Sequence, residues 1–155
     1  MTTYRLYRNI EKSIIDFLVE ELTDDGWDGF RVEKSFSRAH EGTLPAICVN
    51  VEEPDIKRIE IGSNLYEELI TVSIRLFCVD DGQRLDLASW LLGKLMPGID
   101  YNEYEITSGV VSKTTKTGMI STQKIIASRK ELKNTESVDK VDKFRHLFQY
   151  TVKVT

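Results

Sequence analysis

The chain has 155 residues, of which 41% are apolar and 30% charged, a composition that excludes collagen-like, disulfide-scaffold and wholly disordered proteins. Its length is sufficient for one hydrophobic core without disulfides or metal. Residues 1–100 carry a net charge of −8 and residues 101–155 a net charge of +4, which favours self-association or docking to a complementary partner over dedicated nucleic-acid binding.

The N-terminal segment has the periodicity of an amphipathic helix, which we predict over residues 4–22. Five apolar residues recur there at steps of three and four: Leu6, Ile10, Ile14, Phe17 and Leu18. No apolar run reaches the ~18–20 residues of a membrane helix, and no secretion signal is expected.

Three strands are predicted next, over residues 46–51, 56–61 and 69–79, with a break at Glu52–Asp55. In the third strand Ile70, Val72, Ile74, Leu76 and Cys78 alternate with polar residues. This alternation predicts a sheet with one buried face and one face open to solvent or a neighbouring subunit.

A second amphipathic helix is predicted over residues 83–96, which Pro97 and Gly98 end. Its apolar stripe comprises Leu85, Ala88, Leu91, Leu92 and Leu95. We expect Leu91 and Leu92 to face the sheet.

In the last third of the chain, the sequence pattern predicts strands over residues 104–112, 124–127 and 144–154, separated by two polar segments. Residues 113–122 and 129–143 contain few apolar side chains, so we expect a loop or hairpin tip in the first and a flexible excursion in the second, both mobile in the free protein and ordered on assembly. The predicted fold is a single α+β domain spanning residues 1–155. It has a mainly antiparallel sheet, two amphipathic helices packed on it, and long polar loop or hairpin excursions.

No pattern in the sequence indicates catalysis, so we predict a protein that is not an enzyme and has no cofactor or metal. Cys48 and Cys78 lack CxxC spacing, and His40 and His146 have no partner at ligand spacing. Both cysteines are expected to be small buried residues. Trp27 and Trp90 are assigned to core packing in preference to an interface.

The basic residues of the two polar segments are the candidate protein-docking residues: Lys113, Lys116, Lys124, Arg129, Lys130 and Lys133. No aromatic residue for base stacking lies between Tyr104 and Phe144, which disfavours nucleic acid as their partner. A solvated loop and a protein-docking arm remain equal alternatives for these segments.

The central part of the chain resembles a known family. The blocks are ICVNVEE at 47–53, IEIGS at 59–63, LITVSIRLFCVDD at 69–81 and GQRLDLASWLLGKL at 82–95. Preceded by a long amphipathic helix, they resemble the tail terminator (tail completion) proteins of long-tailed bacteriophages.

The resemblance implies a homo-oligomeric ring, usually of six copies, that caps the tail tube and ends its polymerisation. The expected partners are further copies of the chain, the tail-tube protein and a head connector or stopper protein, with genomic DNA only passing through the lumen and no membrane. The expected location is the virion tail or neck, after assembly in the host cytoplasm. The alternatives are another head-tail joining protein, a small cytosolic ligand-binding α+β domain, or an enzyme whose site the sequence hides.

Overall fold

The computed structural model describes residues 5–27, 29–34, 44–58, 62, 66–129 and 145–155. This part of the chain forms two helices packed on a mostly antiparallel sheet, which confirms the predicted α+β fold. The elements are α1 Leu6–Asp24, β1 Arg31–Glu33, β2 Ala46–Arg58, β3 Tyr66–Phe77, α2 Asp81–Leu95, β4 Ile99–Thr107, β5 Val110–Arg129 and β6 Arg145–Val154.

The strands form one sheet in the order β1-β2-β3-β6-β5-β4, in which only the β1–β2 pair is parallel. β1 and β2 therefore lie at the opposite end of the sheet from β4. Helix α1 nevertheless contacts β1, β2 and β4. The sheet is thus curled around α1.

Side chains of α1 satisfy backbone groups at both ends of the curled sheet. The Ser13 hydroxyl accepts a hydrogen bond from the Asn102 amide at 3.0 Å and donates one to the Asn102 carbonyl at 3.3 Å. At the other end, the Glu11 carboxylate accepts a hydrogen bond from the Val51 amide at 3.4 Å. Unpaired strand edges invite addition of a further strand, and α1 protects the edge strand β4 at Asn102 and bonds to β2 beyond the end of the short β1.

The main core lies between the two helices and one face of the sheet. Its fully buried members include Ile10, Ile14, Leu18, Leu87, Leu91, Leu95, Ile74, Leu76, Phe148 and Tyr150. Burial of this apolar surface is the main stabilising contribution to such a fold.

The buried stripe of α2 differs in part from the predicted one. Leu91 is fully buried as expected, but Leu92 is only half-buried and Leu85 is 54% exposed. Leu87 lies inward in place of Leu85, because the helix turns the positions of Arg84, Leu87, Ala88, Leu91 and Leu95 toward the sheet.

The predicted break at Glu52–Asp55 is wrong, because β2 continues through it to Arg58. The pairing with β3 shifts register between Val51 and Pro54, which identifies a bulge. Proline has no amide hydrogen to donate to a neighbouring strand, and within sheets it occurs at bulges, which explains how β2 contains Pro54. Residues 59–61 of the predicted second strand lie outside the described residues.

The predicted strand over 104–112 and the predicted loop over 113–122 are also wrong. β4 begins at Ile99, and a turn at Ser108 and Gly109 separates it from β5; both turn residues have positive φ, 52° and 79°. Such a turn matches the twist of a two-residue hairpin. Residues 113–122 belong to β5, as does the predicted short strand over 124–127, because β4 and β6 supply neighbours for its polar, threonine-rich sequence.

The short strand β1 was not predicted, because three residues carry too little periodicity. The polar segment predicted over 129–143 lies outside the described residues after Arg129, and β6 then begins at Arg145.

Candidate docking surface

One face of the sheet is covered by the two helices. The opposite face carries the polar residues of the alternating strands, and because no described helix covers it we call it the uncovered face. Thr71 and Ser73 of β3 lie opposite Thr151 and Gln149 of β6 on this face. Lys124 of β5 lies opposite Thr151 in turn. The predicted polar side of the third strand therefore continues across three neighbouring strands.

The centre of the uncovered face is a shallow depression of about 660 Å³. It is lined by Glu52, Thr71, Lys124, Ile126, Gln149 and Thr151. Ile126 is 44% exposed, and Lys124 and Gln149 are exposed beside it. An apolar side chain within a polar rim is the usual composition of a protein-docking surface.

The acidic and the basic side chain of this depression differ in whether they have partners among the described residues. The Glu52 carboxylate accepts a hydrogen bond from the buried Ser73 hydroxyl and lies 4.0 Å from the Arg75 guanidinium. Glu52 is therefore already engaged within the chain. Among the described carboxylates, none forms an ion pair with Lys124.

At one end of the uncovered face the apolar side chains are buried, so a partner cannot contact them. Ala46, Cys48 and Phe77 are fully buried there in a small second apolar cluster with Leu44. The Arg145 guanidinium lies 5.3 Å from the centre of the Phe77 ring, a cation–π contact. The part of the face open to a partner is thus the region around Lys124 and Ile126.

The β4–β5 hairpin extends beyond the rest of the sheet. β6 pairs with β5 only as far as Ile120 opposite Val154, and Thr155 then bonds to the backbone of Met119. No described strand lies on the β6 side of β5 from Val110 to Gly118. We call residues 105–112, at the end of this hairpin, the arm.

The arm exposes apolar side chains. Val110 is 67% exposed and Val111 is 39% exposed, and the turn residues Ser108 and Gly109 are exposed between the strands. Glu105, also exposed, is the arm's single charged residue.

The four predicted docking residues that the structure describes are spread along β5. Lys116 is exposed and pairs with Asp100 at 2.7 Å, whereas Lys124 lies eight residues further along β5 on the uncovered face. Lys113 lies opposite Tyr104 in the hairpin, and Arg129 is the last residue of β5. Lys130 and Lys133 lie outside the described residues.

A second concave surface of about 290 Å³, between α1 and β4, is acidic, and three of its four carboxylates, those of Asp16, Glu21 and Asp100, already have partners. Asp16 pairs with Lys12 at 3.0 Å and accepts a hydrogen bond from the Tyr104 hydroxyl at 2.8 Å. Burial, and then the hydrogen bond to Asp16, raises the pKa of Tyr104 to about 12. This surface therefore joins α1 to the sheet.

The two tryptophans join the end of α1 to α2. Their rings meet edge-on with centroids 6.2 Å apart, and both are partly buried against the main core. The Trp90 indole donates to the Asp25 carboxylate at 2.7 Å, which is the main cause of the lowered pKa of Asp25. Lys94 bonds to Asp25 at 2.9 Å. The arrangement is consistent with the packing role predicted for both tryptophans.

The cysteines are buried on opposite sides of the sheet, Cys48 in the small cluster and Cys78 in the main core. Burial raises the pKa of both thiols, that of Cys78 to about 12.

His146 accepts a hydrogen bond at Nδ1 from the buried Arg84 guanidinium at 3.0 Å, and Arg84 also pairs with Asp81 at 2.8 Å. His40 lies outside the described residues.

Within the described ranges, His, Cys, Asp and Glu side chains form no group of three or more suited to hold a metal ion. In the same part of the chain, neither helix is long and apolar enough to cross a membrane. No protein-family model matches the chain, and no curated protein matches it in sequence.

Proposed function

We propose that this protein is a structural subunit of a phage virion that forms a ring, caps the tail tube and ends its polymerisation. The exposed side of the ring would present the surface to which the head connector or stopper docks. The proposal originates in the resemblance of residues 47–95 to tail terminator proteins, and the surface features of the fold support it.

The observation that carries the proposal is the presence of two different surfaces that the described part of one copy leaves without a partner. The arm exposes Val110 and Val111, and the uncovered face exposes Ile126. A ring forms when each copy contacts the next through two non-equivalent surfaces and the rotation closes. A subunit of a closed ring requires such a pair of surfaces.

The charge of the chain is compatible with a ring through which DNA passes. The net charge is −4, and the acidic residues of the first hundred positions outnumber the basic ones. Like charges repel, so an acidic lumen would let DNA pass without binding it.

The experiment has two stages. First, the mass of the purified chain is measured in solution, with a closed ring of six copies as the expected result. Second, the ring is added to polymerising tail-tube protein from the same genome, and tube ends and lengths are recorded by electron microscopy. We expect rings at one end of the tubes and an end to elongation there.

The matched control is the same chain carrying Val110→Asp and Ile126→Asp, which places charge on both exposed apolar sites. It should fold, remain a monomer and leave tube growth unchanged. Tubes that elongate equally with the unaltered protein and carry no ring would refute the proposal. A stable monomer that binds a small ligand would instead favour the ligand-binding alternative.

A further inference from the structure

The arm is a two-stranded ribbon beside which no further strand lies in the described part of its own copy. Side chains of α1 bond to the edge of β4 at Asn102 and Tyr104, which precede the arm. On the other side, β6 ends beside Ile120 and Met119. A two-stranded ribbon is marginally stable alone in water, so a partner that covers it would stabilise it.

The arm cannot reach the uncovered face of its own copy. Val111 and Lys124 belong to the same continuous strand, β5, thirteen residues apart. At the rise of a strand residue, this separation is about 40 Å along the strand. Any contact between the arm and the depression around Lys124 is therefore between two copies.

The two surfaces are complementary in charge and in apolar character. The arm carries one charged residue, the acidic Glu105, and the strand register places it on the same face of the hairpin as the exposed Val110. The depression carries the exposed Lys124 beside the exposed Ile126, while its own acid, Glu52, is engaged by Ser73 and Arg75. An apolar contact flanked by an opposite-charge pair fixes both the position and the orientation of a partner.

We propose that the arm of one copy docks on the uncovered face of the next, with Glu105 opposite Lys124 and Val110 against Ile126. This inference rests on the proposed function, because it specifies how the copies of the ring bind one another. Each copy donates its arm to the next and receives one from the copy before it, so the contact is heterologous, and it forms a ring where the rotation between copies closes.

The test is charge reversal at the two paired positions. Glu105→Lys or Lys124→Glu alone places like charges opposite each other, and each variant should associate at least about tenfold more weakly than the unaltered chain. The double variant restores opposite charges and should assemble again. Association is measured by sedimentation at low ionic strength, where charge pairs are least screened.

Mixing the two single variants provides a second test. In an alternating ring every arm then meets a face of opposite charge, so the mixture should assemble although neither variant assembles alone. Circular dichroism and denaturant unfolding check that each variant is folded, as expected for substitutions at exposed positions.

The matched controls reverse exposed charges outside both surfaces. Asp86→Lys on α2 makes the same charge change as Glu105→Lys, and Arg8→Glu on α1 makes the same sign of change as Lys124→Glu. Both controls should assemble as the unaltered chain does. Single variants that assemble normally, or a double variant and a mixture that remain as weak as the single variants, would overturn the proposal.

These measurements separate the docking contact from the function of the ring. Charge-dependent rings that do not stop tube growth would leave the arm contact standing and refute the tail-terminator proposal. Tubes capped equally well by the single charge variants would refute the arm contact and leave the tail-terminator proposal standing.

Discussion

The two faces of the sheet differ at adjacent positions of the same strand. In β6, Phe148 and Tyr150 are fully buried beneath the helices, whereas Gln149 between them is exposed on the uncovered face. The helix-covered face holds the fold together through apolar burial. The central uncovered face contributes less to stability, which leaves it free to carry residues for a partner.

The largest expected effect is on the helix-covered face. Phe148→Ala removes a fully buried ring and should lower the free energy of unfolding by about 3–5 kcal/mol. Gln149→Ala, the adjacent residue on the opposite face, should change it by less than about 0.5 kcal/mol. Denaturant unfolding of both variants measures the difference, and equal losses would show that both faces contribute equally to the core.

The next effect concerns the edge of the sheet that α1 covers. Ser13→Ala leaves the buried amide and carbonyl of Asn102 without their hydrogen-bond partner and should cost about 1–3 kcal/mol. Ser89→Ala, at an exposed position of α2, is the control. If the two variants unfold at the same denaturant concentration, water replaces Ser13 and the edge is not sealed by α1.

A pH dependence should come from Tyr104, which joins α1 to β4. Its pKa is raised to about 12 in the folded protein from 10.0, so the folded state binds its proton more tightly than the unfolded state. The resulting stability is complete below pH 10 and is lost as the pH rises toward 12, by at most about 1.4 kcal/mol per pH unit.

Unfolding free energies between pH 9 and about pH 12 should therefore fall less steeply in Tyr104→Phe than in the unaltered chain. Ultraviolet absorbance of the ionised phenol provides an independent measurement of the same group. If the unaltered chain and the variant lose stability in parallel, neither burial nor the hydrogen bond to Asp16 raises the pKa of the Tyr104 phenol.

The smallest effect compares the cysteines on the two sides of the sheet. Cys48→Ala and Cys78→Ala should each cost roughly 1 kcal/mol through the small cavity left behind, and the double variant should still assemble. Thiol reagents should label both cysteines only on unfolding, because burial raises both pKa values. Failure of the folded double variant to assemble would give the cysteines a role beyond packing.

The elements with strong periodicity were predictable from the sequence. Helix α1 is Leu6–Asp24 where 4–22 was predicted, and β3 is Tyr66–Phe77 where 69–79 was predicted. In both, the spacing of apolar residues directly reflects the burial that stabilises them. The exposed Leu85 shows where that signal fails, since a leucine adjacent to the buried stripe looks the same in sequence as one within it.

The candidate site was predictable only in part. Lys124 was identified as a docking residue, but the sequence placed it in a series of basic residues rather than beside Ile126 and Gln149. The arm was missed because the Ser108–Gly109 turn lies inside a stretch that resembles one strand. Neither feature carries the apolar periodicity on which prediction of elements depends.

The sequence by itself determined the α+β class, the two helices and the alternation of β3, because these follow from local spacing of apolar residues. Only the tertiary structure decided that β5 is one long strand, that α1 bonds to the backbone of both β2 and β4, and that no other described strand lies beside the arm. Those features depend on which distant strands pair, and the backbone hydrogen bonds of that pairing are nearly independent of side-chain identity. Residues 113–122 are polar enough to read as a loop, yet they form a strand because β4 and β6 provide the backbone partners.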